Sequence, residues 1–285
     1  MKKDCAVAVY LDNDKESLRE IFWLYRSWKY SGSNNRSDLV VFYNPSIDKS
    51  ILPNDDDIIF VPLAPIYETD KLWKDYRRIN NTWFLTTPES EIVNNYEYTF
   101  RTDTDCFLTK NFVNLRPRLA TFGVNLYETR NSIVSDKIRN ICRKYGIAQY
   151  HMNVDCHVIA YSYNIREYAK LQYQIARKLK LEEFTDGHGE WPGWYEYIIN
   201  MYSAGIAANS YYGMGYNLGG LSSMSMSDDP IGSTDYCIHA WHTDQNFSKL
   251  KWRKGYYDVL DFDALDDNII NSYCAKMAGK RDNGI

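Results

Sequence analysis

Tyr98-Thr-Phe-Arg-Thr-Asp-Thr-Asp-Cys-Phe-Leu108 is the stretch on which the reading of this chain turns. Tyr96, Tyr98 and Phe100 alternate with polar residues as a half-buried strand does, and Cys106, Phe107 and Leu108 follow as a second apolar patch. Between them stand two carboxylates, Asp103 and Asp105. Strand side chains repeat every second residue, so both acids are expected on one face, converging on one hard cation through oxygen ligands while a diphosphate fills its remaining positions. Acids set between buried segments are costly unless paired or metal-bound. Asp-x-Asp is short enough to arise by chance, and a solvated turn closed by Asp gives the same letters; the apolar flanks favour the metal corner.

Upstream, strands alternate with helices. Cys5 to Tyr10 is a continuous apolar run of the kind buried parallel strands show, and it breaks at Leu11-Asp-Asn-Asp14. Leu18, Ile21, Phe22, Tyr25 and Trp28 then recur at helical spacing, with Asn13 or Asp14 as N-cap and Gly32 near the stop. Leu39–Tyr43 and Ile58–Pro62 are further short strands. This alternation predicts an α/β fold with a central, mostly parallel sheet flanked by helices. Ligands bind beyond the carboxyl ends of such strands, which nominates Tyr10 or Asp12 as a nucleotide contact. Asp70 to Thr86 has helical periodicity and carries Arg77-Arg78, while Arg101, two before Asp103, is expected beside that carboxylate, orienting it or neutralising a phosphate.

Downstream, Leu119–Val124 reads as a strand, Ser132–Tyr145 as a helix, Met152–Tyr161 as a strand, and Ile165–Lys180 as an amphipathic helix with Tyr168, Ala169, Gln172, Ile175, Ala176 and Leu179 on one stripe. Thr185-Asp-Gly-His-Gly-Glu-Trp-Pro-Gly-Trp-Tyr-Glu-Tyr197 follows, a tight loop opening a helix from Trp194 to Ala208. Tryptophans beside carboxylates suit a sugar subsite, with apolar C–H faces on the rings and acids accepting hydroxyl protons. Asp186, Glu190 and Glu196 are the candidate general bases, Glu190 first. Ser210 to Asp235 shows no period and reads as a long loop. Tyr236–Thr243 is a last strand ending in His239 and His242, before a basic, aromatic-flanked run holding Lys249, Lys251 and Lys254; the tail from Asp261 reads as a helix.

Composition sets bounds. With 33 basic against 37 acidic residues the net charge is −4, which offers no support for nucleic-acid binding. Neither Gly-x-Gly-x-x-Gly nor a phosphate-loop lysine motif occurs, arguing against a dehydrogenase or an NTPase. The six cysteines are scattered without Cys-x-x-Cys spacing and read as buried free thiols of a reducing compartment. No apolar run nears 18 residues, so a soluble, cytoplasmic chain without a membrane span is expected.

The string Phe100-Arg-Thr-Asp-Thr-Asp-Cys-Phe-Leu-Thr109 resembles the metal-binding signature of GT-A fold glycosyltransferases, most closely those encoded by large DNA viruses of green algae, the chloroviruses. That resemblance implies a single domain over residues 1–285, with a nucleotide-donor half (1–110), an acceptor half (111–260) and a C-terminal tail (261–285). It implies Mn²⁺ or Mg²⁺ held by Asp103, Asp105 and a late histidine, His239 or its rival His242. Arg77 is implied at the base or ribose, and a lysine, Lys249 or Lys251, at the donor pyrophosphate. The implied reaction moves a sugar from a UDP-sugar, UDP-xylose or UDP-glucose, to a hydroxyl of a glycan or glycoprotein acceptor, with inversion and Glu190 or Asp186 as base, in viral capsid glycan synthesis. The rival readings are a metal-dependent hydrolase or nucleotidyltransferase and a non-catalytic carbohydrate-binding module.

Overall fold

The computed structural model describes residues 3–242 and 246–279. In chain order its elements are β1 (Cys5–Leu11), α1 (Lys15–Tyr30), β2 (Ser37–Tyr43), β3 (Ile58–Pro62), α2 (Ile66–Thr69), α3 (Asn80–Trp83), β4 (Tyr98–Arg101), β5 (Cys106–Leu108) and β6 (Ala120–Val124). There follow α4 (Ser132–Lys144), β7 (Val154–Tyr161), α5 (Ser162–Glu183), α6 (Ile199–Tyr212), β8 (Tyr216–Leu218), β9 (Ser223–Met224), β10 (Cys237–His239), α7 (Lys249–Arg253) and α8 (Ile270–Ala278). The class is α/β, as expected, with a seven-stranded central sheet flanked by helices and a second sheet of three strands. Two compact units divide the chain: unit 1 comprises Met1–Pro62, Thr102–Arg116 and Gly220–Ile285, and unit 2 comprises Leu63–Arg101 and Pro117–Gly219. Three central strands, ordered β3-β2-β1, lie in unit 1, and four, ordered β4-β7-β6-β8, in unit 2.

In unit 1, β1 pairs in parallel with β2 from Cys5↔Ser37 to Leu11↔Tyr43, and β2 in parallel with β3. Every residue of β1 is buried, the reason its apolar run does not alternate. Of the two N-cap candidates Asp14 fills the role, accepting from the amides of Glu16 and Ser17. The buried side of α1 holds Leu18, Glu20, Ile21, Trp23, Leu24, Ser27 and Trp28, whereas Phe22 and Tyr25 are half-buried. Trp23 displaces the expected stripe because it has its own partners: it stacks on Phe107 at 5.6 Å and meets Trp252 edge-on at 4.8 Å. The three-stranded sheet, ordered β5-β10-β9, packs Phe107 and Ile238 into the same core, which Tyr273, Cys274 and Met277 of α8 complete.

In unit 2, β7 is antiparallel to both β4 and β6, and β6 is parallel to β8. All six stripe positions expected on α5 are buried. Asp70 to Thr86 is not the single helix that its periodicity predicts. It is a string of short turns broken at Asp70, whose side chain accepts from the Leu72 amide, and at Tyr76, whose φ of −133° and ψ of 79° leave the helical region. The helix expected from Trp194 begins later, at Ile199, behind a 3₁₀ turn over Glu196–Ile198. Ser210–Asp235 is likewise not all loop: α6 runs to Tyr212, and β8 in unit 2 and β9 in unit 1 follow. Strands of two or three residues are too short to show a period; partner strands define them.

All six cysteines are free and buried, and no helix among the described residues is long and apolar enough to cross a membrane.

Candidate metal and donor site

Asp103 and Asp105 do not sit on a strand. β4 stops at Arg101, β5 starts at Cys106, and the acids occupy the turn between them. The turn replaces the strand pleat as the device that brings them together. The register of β10 against β5 sets His239 opposite Cys106, and the Ala240 amide donates to the Asp105 carbonyl at 2.9 Å. One carboxylate oxygen from each acid and one ring nitrogen of His239 lie within 4.8 Å of one another, all three residues belonging to unit 1. Ligand atoms at ~2.2 Å from one ion are at most ~4.4 Å apart, so shifts of a few tenths of an ångström close this set on a cation. Two carboxylates and an imidazole suit a hard or borderline divalent ion such as Mn²⁺ or Mg²⁺.

Asp105 is 5% exposed. Burial pushes its carboxyl up, yet Lys249 and His239 outweigh burial and hold it well below the usual carboxylate range. The Lys249 ammonium contacts Asp105 Oδ2, and His239 Nε2 lies 3.3 Å from the same oxygen. An ammonium thus already rests on the carboxylate that an ion would share. Behind Lys249 lies a second buried acid, Glu20. Arg253 Nη2 donates to its Oε1 at 2.9 Å, and Arg253 is also paired with Glu16. Burial raises Glu20 to about 7, with Asp105 adding to the rise and Lys249 and Arg253 opposing it. This Glu20–Arg253 anchor fixes α7, and α7 aims Lys249. Sequence reasoning missed both residues, because an acid on a helix ordinarily reads as solvated; the available signal was that Glu20, Leu24 and Ser27 recur on one buried stripe.

The other expected site residues fall as follows. Asp12 is buried just past β1, its Oδ1 accepting from the Asn13 amide at 2.8 Å and from Asn44 Nδ2 at 3.3 Å, and Tyr10 is buried near the carboxyl end of that strand. Lys251 is half-buried on α7. His242 is exposed beyond β10 and is not part of the ligand set; Thr243 lies outside the described residues. Arg101 is a correction. It is 1% exposed, with Nε donating to the Cys156 carbonyl at 3.0 Å and Nη1 to Gln172 Oε1 at 2.6 Å, and its guanidinium stacks over Tyr168. Those bonds tie β4 to β7 and α5 inside unit 2, and burial closes the guanidinium to a phosphate. Arg77 is exposed in unit 2, its guanidinium over the Tyr67 ring at 5.1 Å.

Within the loop of residues 185–195, Glu190 and Asp186 are both exposed. Gly189 shapes it: φ is +67°, and a Cβ there would fall 1.8 Å from the Trp194 carbonyl. Glu196, the third candidate base, is buried, in an ion pair with Lys180 and in hydrogen-bond contact with His188 Nδ1 at 2.7 Å, so it anchors the loop. Trp194 is half-buried and stacks between Phe184 at 5.3 Å and Tyr202 at 4.3 Å, while Trp191 stays exposed.

A family profile described as "Domain of unknown function (DUF7164)" matches residues 1–283. The chain belongs to that family. No curated protein matches it significantly. Among solved structures, an active-site mutant of LgtC superposes with a TM-score of 0.53 at 10% identity, covering 82% of this chain and 86% of that one. The galactosyltransferase LgtC in complex with donor and acceptor sugar analogues gives 0.50 at 10% identity over the same shares. The WbbM bifunctional glycosyltransferase gives 0.55 at 8% identity, over 97% of this chain and 50% of that one. At such identities the likeness establishes the fold, that of GT-A glycosyltransferases.

Proposed function

We propose that this DUF7164 chain is a metal-dependent glycosyltransferase that takes its sugar from a nucleotide diphosphate, with a UDP-sugar as the favoured donor. The convergence of Asp103, Asp105 and His239 in a fold shared with glycosyltransferases carries the reading. Mn²⁺ or Mg²⁺ held by these three residues would neutralise charge on the departing diphosphate. Lys249, anchored through the Glu20–Arg253 pair on α7, supplies a second positive charge to the same diphosphate, with Lys251 on the same short helix. Tyr10 and Asp12, at the carboxyl end of β1, bind the nucleoside. Glu190, with Asp186 as the alternative, withdraws the proton from the acceptor hydroxyl, which gives inversion in a single displacement. The donor half and acceptor half act within one transferase domain, transferring xylose or glucose to a glycan or glycoprotein. Likeness to algal-virus enzymes is what supports a capsid-glycan acceptor.

Turnover of UDP-glucose and UDP-xylose with and without a glycan acceptor tests this. Acceptor-dependent UDP release, lost with EDTA and reduced at least 100-fold by Glu190→Gln, is expected from removal of a general base. UDP release indifferent to any acceptor would instead mark a hydrolase.

A further inference from the structure

We infer that unit 2 carries a binding site for a saccharide bearing an acidic group, a phosphate or a carboxylate, formed by Lys74, Arg77 and Arg78 against the rings of Tyr76, Tyr195 and Tyr197. These residues line a cavity of about 740 Å³, within the ~300–1,000 Å³ typical of small-molecule sites. Lys74, Arg77 and Arg78 are exposed, and none has a carboxylate partner among the described residues. Nearby cations of the same unit are spent otherwise: Arg177 pairs with Asp70, Lys180 with Glu196, and Arg101 is buried. Asp75 is the one acid among the lining residues, so the cavity carries an excess of two positive charges.

The other wall is aromatic. Tyr76 is buried and meets Tyr197 edge-on at 6.3 Å, Tyr197 lies 5.2 Å from Tyr195, and His188 lies 5.3 Å from Tyr197. The His188–Glu196–Lys180 network secures this wall from behind. Phenol rings offer apolar faces to sugar C–H groups and hydroxyls to sugar oxygens, while guanidinium forks match phosphate and carboxylate oxygens. A neutral sugar would leave the three cations unused. A bare anion would leave the rings unused. The acidic group has two sources, an acidic sugar of the acceptor glycan or the diphosphate of the donor; the metal-ligand set and Lys249 already supply the diphosphate with positive charge, so we assign the cavity to the acceptor, which takes Lys74, Arg77 and Arg78 out of the donor half. That assignment rests on the transferase reading.

Calorimetric titration of the full chain with glucose 6-phosphate, glucuronic acid, glucose and inorganic phosphate separates these cases. The expected result is that both acidic sugars bind at least tenfold more tightly than glucose or phosphate. Lys74→Gln/Arg78→Gln should abolish that preference, and Tyr197→Ala should weaken the acidic sugars without changing inorganic phosphate. Equal binding of glucose and glucose 6-phosphate, or indifference to Lys74→Gln/Arg78→Gln, overturns the proposal. So does displacement of glucose 6-phosphate by UDP in Mn²⁺, which would hand the cavity to the donor. A parallel Mn²⁺–UDP titration keeps the two claims apart: acidic sugars binding without UDP would sink the transferase reading and leave the site, and UDP binding without acidic sugars would do the reverse.

Discussion

Glu128 offers a quantitative test of the interior of unit 2. The side chain is 1% exposed, and neither carboxylate oxygen completes a hydrogen bond among the described residues. Gly205 on α6 approaches so closely that a Cβ there would lie 2.4 Å from Glu128 Oε1. Burial therefore raises the carboxyl from 4.5 to about 7. Between these two values the folded state holds a proton that the unfolded chain has lost, so stability is full below pH 4.5 and declines as pH rises through 7. A rise of about 2.5 units at ~1.36 kcal/mol each is about 3 kcal/mol, an order-of-magnitude figure. Glu128→Gln keeps the shape of the neutral acid and cannot ionise. It is expected to be close to wild type at pH 4 and more stable by up to ~3 kcal/mol at pH 8. Denaturant midpoints of both proteins from pH 4 to 9 measure this, and taking the difference cancels groups such as Glu20 that titrate in both. A difference independent of pH, or a variant less stable at pH 8, would show that Glu128 is not held neutral by burial.

Two further outcomes follow from the charged interior. Lys249→Met removes one partner of a buried pair, so it should lower stability by roughly 3 kcal/mol in EDTA. Added Mn²⁺ should then raise its melting temperature more than that of wild type, because the ion no longer competes with an ammonium at Asp105 Oδ2; a smaller shift would contradict the site. Arg101→Met strands the Cys156 carbonyl and Gln172 Oε1, and a loss of ~2–4 kcal/mol with unchanged Mn²⁺–UDP affinity in the folded protein is expected, whereas a loss of nucleotide affinity would restore Arg101 to the donor site.

What could be read from the sequence depended on how much regular structure each residue's burial implied. β1 was legible because a strand covered on both faces must be apolar throughout, and α5 because five turns of stripe leave little room for another period. The span from Asp70 to Thr86 carried the same period and misled, since one capping aspartate and one tyrosine outside the helical region restart the chain. The acid pair was found for a reason only partly right: Asp103 and Asp105 converge through a turn that a strand argument does not describe. Lys249 was visible as one lysine in a basic run, but its contact with Asp105 spans 144 residues of sequence and is fixed by the packing of α7 on α1, where a buried glutamate gives no local sign of itself. Arg101 failed as a ligand because spacing along a strand says nothing of which side faces the core.

The proposed function stands on Asp103, Asp105 and His239 holding an ion against a nucleotide diphosphate. Calorimetric titration of UDP and GDP into the full chain, with Mn²⁺ and again with EDTA, tests it most directly, with Asp105→Ala as control. Binding of one nucleotide, UDP, in Mn²⁺ only is expected, weakened at least 100-fold by Asp105→Ala. Binding unaffected by EDTA, or no binding of either nucleotide by a folded protein in Mn²⁺, would contradict it.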